Sequence, residues 1–201
     1  MKSMHALLVL GLLGSPGISQ TSDRVAPTAD RLLSEAEATA YSQQKNVLLL
    51  FSASWCAPCH MLQSFLVDPT IRPIFDRYFV KLVVIHGERP NQARYQDTPG
   101  ADQLLDSLHD TDTSIPLTVI LNSNGKLIAD SVLPVYGRRN IHANIGYPDS
   151  PTGIDWFLEM LRRGAPSLTA NESETIHNWL LQHSSYERSE PLSKRDERRP
   201  G

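Results

Sequence analysis

Cys56 and Cys59 are the two cysteines of the chain, and they stand in SASWCAPCH, where the apolar run VLLLF gives way to a segment of helical character. A thiol at a helix N-terminus meets backbone N–H groups without intrahelical acceptors and the positive end of the helix dipole. Both favour thiolate over thiol, and Cys56 falls at that position. Two intervening residues bring Cys59 into the first turn, close enough for a disulfide. Pro58 is tolerated there because its missing N–H has no helical partner to lose. Such a pair can cycle between dithiol and disulfide.

The same residues admit other chemistry. An inert structural bridge would gain little, because closing so short a loop removes little entropy from the unfolded chain. Cys56, Ala57, Pro58, Cys59 and His60 also spell the attachment motif for c-type haem, with His60 as an axial ligand. The methionines beyond the N-terminal segment, Met61 and Met160, offer no clear second ligand, although a histidine could supply it. No second cysteine pair completes a zinc site, so no metal is expected.

The elements that must position the pair are legible on both sides of it. Ser34, Glu35, Ala36 and Glu37 read as a capping box opening a helix to about Gln44. Val47–Ser52 is a continuous apolar run, suited to a central strand buried on both faces. Residues 57–67 read as a helix interrupted by Asp68 and Pro69, followed by a shorter helix over Ile71–Arg77 and a second buried strand, FVKLVVI, over Phe79–Ile85. Residues 87–112 form a polar insertion, predicted as a loop followed by a helix carrying Leu104, Leu105 and Leu108. Ile115 and Pro116 lead into LTVIL, and NSNG joins that strand to KLIADSV as a hairpin. Pro134 to Pro151 reads as irregular. Ile154, Phe157, Leu158 and Leu161 define an amphipathic helix ending near Gly164, and Thr169 with Glu172 could box another that carries Ile176, Trp179 and Leu180.

The ends of the chain read differently. Lys2, the apolar block Ala6–Gly14 and the small, turn-prone stretch Ser15–Ser19 have the layout of a secretory signal, which would place the thiols where disulfides persist. The expected organisation is a signal peptide over 1–19, a linker over 20–33, a domain over 34–164 with the insertion, a helical extension over 165–186, and a disordered charged tail over 187–201. Across 201 residues the composition is 40% hydrophobic and 20% charged, with 19 basic against 22 acidic residues, which excludes wholesale disorder and a polycationic nucleic-acid binder. No apolar run approaches the roughly 18 residues needed to span a bilayer.

From Ser34 to Met160 the chain resembles the thioredoxin-like superfamily, and in particular its exported members. WCAPC is that family's active-site pattern. The strand before it, the DPTIRPIF segment leading into FVKLVVI, and Ile115–Pro116 ahead of a strand and hairpin follow the family's order. The resemblance implies an α/β fold with a central mixed sheet flanked by helices. It implies Cys56 as nucleophile, Cys59 as resolving thiol, Trp55 as a flanking lid and Pro116 as a cis-proline opposite the disulfide. Cys56 should be accessible and Cys59 more shielded. Where the family often has a buried Asp, six positions before the first cysteine, this chain has Leu50, which cannot take a proton from Cys59. Lys81 falls where the family often has a lysine. The implied activity is exchange of protein thiols and disulfides in the periplasm, through a redox-active Cys56–Cys59 disulfide without a dissociable cofactor and with a separate redox partner to recharge it. A binding module that keeps the fold without turnover is the other reading. Ala57 and Pro58 leave the direction of electron flow open.

Overall fold

The computed structural model describes residues 26–91, 96–108, 114–135 and 138–184. The expected signal peptide and charged tail lie outside these residues, as do parts of the linker and the insertion. Strand β1 (Asn46–Ser52) is the centre of the architecture, and every residue from Val47 to Ser52 is buried. Alternation along a strand sends neighbouring side chains to opposite faces. Leu48 and Leu50 therefore enter one core, while Val47, Leu49 and Phe51 enter another.

Strand β2 (Phe79–Ile85) lies parallel to β1, with Leu48 opposite Lys81 and Leu50 opposite Val83. On the other side β3 (Leu117–Leu121) runs antiparallel, with Leu50 opposite Thr118, and β4 (Leu127–Asp130) pairs with β3, giving the order β2-β1-β3-β4. Helices α2 (Ala57–Val67) and α3 (Arg72–Tyr78) form the crossover from β1 to β2. They share the first core with α5 (Pro151–Gly164) and α6 (Ala170–His183). The second core lies beneath α1 (Ala29–Gln43) and α4 (Ala101–Leu108). This is the mixed sheet flanked by helices that the sequence predicts.

Two local readings change. The first helix starts at Ala29, because Thr28 is its cap and accepts the Arg31 N–H at 3.3 Å. The buried stripe Ala29, Ala36, Ala40 runs the length of the helix, and the Ala29 N–H is satisfied by the Pro99 carbonyl at 2.8 Å. Ser34 and Glu35 therefore sit inside a helix that tertiary packing extends N-terminally. The stretch after Pro134 is not wholly irregular: β5 (Val132–Val135) and β6 (Arg138–Asn144) pair antiparallel as a separate two-stranded sheet. Pro134 hides β5 from sequence reading, since proline signals a strand only at an edge.

The helical extension packs into the first core. Ile176 and Leu180 are fully buried in the first core, and Trp179 packs against Phe65 with ring centroids 4.9 Å apart. Thr169 and Glu172 form the predicted capping box at the start of α6. Glu172 also accepts hydrogen bonds from Arg77 Nη1 at 2.6 Å and the Tyr78 hydroxyl at 2.8 Å, tying α6 to the end of α3. At Gly164 α5 meets the sheet so closely that a Cβ would stand 2.7 Å from Ile120 Cγ2.

Candidate active site

Cys56 is the N-cap of α2, in extended conformation, and its Sγ accepts the Cys59 N–H at 3.2 Å. The cap thus brings a helical N–H donor to the sulfur, which is the physical basis for favouring a thiolate there. The two cysteines are joined in a disulfide. Both are buried, Cys56 2% and Cys59 0% exposed, with Trp55 and Ile115 packed around them. In the disulfide form Cys56 is nearly covered and Cys59 wholly so, with Ile115 of the neighbouring loop packed against the pair.

The loop ahead of β3 completes the site. The Ile115–Pro116 peptide is cis, Pro116 is buried, and the Ile115 carbonyl oxygen lies 3.8 Å from Cys56 Sγ. Beside them an open hollow of about 250 Å³ is lined by Trp55, His86, Gly87, Ser114 and Ile115. Ala57, Pro58 and His60 are exposed on the first turn of α2.

Sequence reading missed the grip of the insertion on this turn. Trp55 Nε1 donates to the Gly87 carbonyl at 2.8 Å, and the Arg89 guanidinium lies 3.6 Å from the centroid of the Trp55 ring. Glu88 accepts the Ser54 N–H at 2.6 Å and the Ser54 hydroxyl at 2.7 Å, while its own N–H donates to Asp97 at 2.9 Å. No periodicity marks these residues, since the contacts to Ser54 and Trp55 each span more than thirty positions of sequence.

The remaining sequence-predicted residues lie apart. Leu50 is 1% exposed and packs in the first core. Lys81 turns its ammonium to Asp76 at 2.5 Å, and that hydrogen bond, against some desolvation, holds the Asp76 carboxyl below its ordinary range. The lysine thus has an acidic partner, but it lies on α3. The two sulfurs are bonded to each other, and His60 Nε2 lies 2.9 Å from the Ser54 carbonyl oxygen. Among the described residues no cluster of three or more His, Cys, Asp or Glu is arranged to hold a metal ion, and no helix is long and apolar enough to cross a membrane.

Residues 28–123 match the model of a family described as thioredoxin-like. They form a thioredoxin-like domain, and its Cys-x-x-Cys disulfide stands at the start of α2. Similar solved structures include a disulphide isomerase from Xylella fastidiosa Temecula1, 17% identical, with 87% of this chain and 98% of that one covered and a TM-score of 0.43. A thioredoxin-fold protein from Helicobacter pylori is 18% identical, with coverages of 72% and 84% and a TM-score of 0.38. An oxidoreductase named DsbH is 16% identical, with coverages of 61% and 81% and a TM-score of 0.39. No curated protein matches the chain.

Proposed function

We propose that this chain is an exported thiol-disulfide oxidoreductase in which Cys56 exchanges with a partner protein and Cys59 resolves the mixed disulfide. The observation that carries this reading is the Cys56–Cys59 disulfide at the N-cap of α2, with the Ile115 carbonyl 3.8 Å from Cys56 Sγ. In the reducing direction the Cys56 thiolate attacks one sulfur of a partner disulfide. The Cys56–partner bond forms, the partner's S–S bond breaks, and the other partner sulfur leaves as thiolate and takes a proton. Cys59 then gives up its proton and attacks Cys56 Sγ, restoring the intramolecular disulfide and releasing the second partner thiol. Two electrons pass to the partner, and a dithiol donor must return them. The oxidising direction runs through the same bonds in reverse. The chemistry needs no dissociable cofactor.

Export to the periplasm is supported by Lys2 and the apolar block Ala6–Gly14 ahead of a turn-prone stretch. The test is a redox titration of the purified chain in glutathione buffers, with Cys59→Ser expressed in parallel. A reversible two-electron transition and recovery of mixed disulfides through Cys56 are expected. A disulfide that stays closed across the accessible range would overturn the reading and leave a binding module with an inert bridge. A visible Soret band surviving denaturation would replace it with a haem carrier.

A further inference from the structure

Asn144, the last residue of β6, reaches the loop that faces the disulfide. Its Nδ2 donates to the Ser114 carbonyl at 2.5 Å and to the Pro116 carbonyl at 3.1 Å, with Ser114 Oγ at 3.4 Å. Its Oδ1 accepts the Ser131 hydroxyl at 2.7 Å and the Gly146 N–H at 3.1 Å. A side-chain amide offers two N–H donors and one oxygen with two lone pairs, so all of its capacity is used. The orientation is also unambiguous, because backbone carbonyls can only accept and the Gly146 N–H can only donate. Ser131 is fully buried and its Oγ accepts the Thr118 N–H at 3.0 Å, which anchors the amide to β3.

The two carbonyls that Asn144 holds bracket Ile115, whose own carbonyl faces Cys56 Sγ. We propose that Asn144 is a positioning residue for protein-disulfide exchange, fixing the Ser114–Pro116 loop as the wall along which a partner chain approaches Cys56. This rests on the reading of Cys56 as the exchanging thiol. A protein partner must fit between that wall and the Trp55 side of the hollow, whereas a small disulfide needs only the sulfur. Loss of the wall therefore separates the two substrates. A displaced positioning group can cost one to two orders of magnitude in rate.

The test is single-turnover oxidation of the reduced full chain by insulin, as a protein disulfide, and by glutathione disulfide, quenched by alkylation. Asn144→Asp puts one carboxylate oxygen, in place of Nδ2, against two carbonyl oxygens. It is expected to lower the rate constant with insulin by about tenfold while changing that with glutathione disulfide less than about twofold. Ser131→Ala keeps both donor bonds to the loop and frees one side of the amide, so a fall of about threefold with insulin alone is expected. It carries the test should Asn144→Asp fail to fold. Equal changes with both substrates, or no change with either, would overturn the proposal. Parent protein that reacts with glutathione disulfide but not insulin would overturn it and leave exchange standing, whereas failure with both would remove the exchange reading itself.

Discussion

Glu88 holds Ser54 with both carboxylate oxygens, one on the backbone N–H at 2.6 Å and one on the hydroxyl at 2.7 Å. Ser54 is 7% exposed and begins the turn that carries Trp55 and Cys56, so the insertion is a structural part of the candidate active site. Glu88→Ala leaves the Ser54 N–H without this acceptor, which is worth about 1–3 kcal/mol when the donor stays buried. Urea unfolding of the oxidised protein should show that loss, and Glu88→Gln, which retains an acceptor for the N–H, should lose less. Equal stability of Glu88→Ala and parent would show that water replaces the carboxylate.

Why this contact was invisible in the sequence is a matter of range. The VLLLF run, the Cys-x-x-Cys spacing and the Thr169/Glu172 box are each decided within a few residues, and they read correctly. Ser54 and Glu88 are polar residues in two separate loops, and only the parallel pairing of β1 with β2 brings the ends of those strands together. Asn144 is hidden in the same way, since it reaches back to Ser114, Pro116 and Ser131 from a strand whose partner, β5, is concealed by Pro134. The helical extension was legible as an amphipathic helix, but amphipathicity alone does not say which core a helix enters.

Arg89 stacks on Trp55 with the guanidinium carbon 3.6 Å from the ring centroid. Such a contact at an exposed site contributes about 0.5–1 kcal/mol, and the planar guanidinium suits the ring face better than an ammonium. Arg89→Lys should therefore resemble Arg89→Ala in freeing Trp55, a change readable as greater iodide quenching of tryptophan emission against the background of Trp156 and Trp179. If lysine preserves full protection, charge rather than stacking holds the ring.

Glu172 makes the attachment of α6 sensitive to acid. Burial pushes its carboxyl up, but hydrogen bonds from the Thr169 N–H, the Thr169 hydroxyl and Tyr78, with the Arg77 charge, outweigh that and leave it below the ordinary glutamate value. A depressed folded pKa contributes stability above the unfolded value of about 4.3, and that contribution is lost as pH falls through the folded pKa. Glu172→Gln should therefore destabilise the chain at pH 7, by about 1–3 kcal/mol, and lose much of that difference once both proteins are acidified below the folded pKa. A destabilisation that persists undiminished there would assign the effect to packing of the side chain.

Leu50 and Thr118 face each other across β1 and β3, and this pair tests what the missing acid means. Residues directly opposite in an antiparallel pair share a face, with Cβ atoms about 4.5–5.5 Å apart. Thr118 is 1% exposed, and its Oγ1 has no hydrogen-bond partner among the described residues. Thr118→Val exchanges an unpaired buried hydroxyl for a methyl group of similar shape, so it should be neutral or stabilise by up to about 1 kcal/mol. Leu50→Asp places a carboxyl directly opposite the Thr118 hydroxyl. Desolvation should raise that carboxyl's folded pKa, so the penalty grows as pH rises from the unfolded value of about 3.9 through the folded one. Urea unfolding at pH 4 and pH 7 of the parent, both single variants and the double variant closes the cycle. The expected result is that Leu50→Asp costs more at pH 7 than at pH 4, and more in the Thr118→Val background by about 1 kcal/mol. Additive effects at both pH values would show that the hydroxyl does not reach the introduced acid, and that the two strands hold these side chains apart.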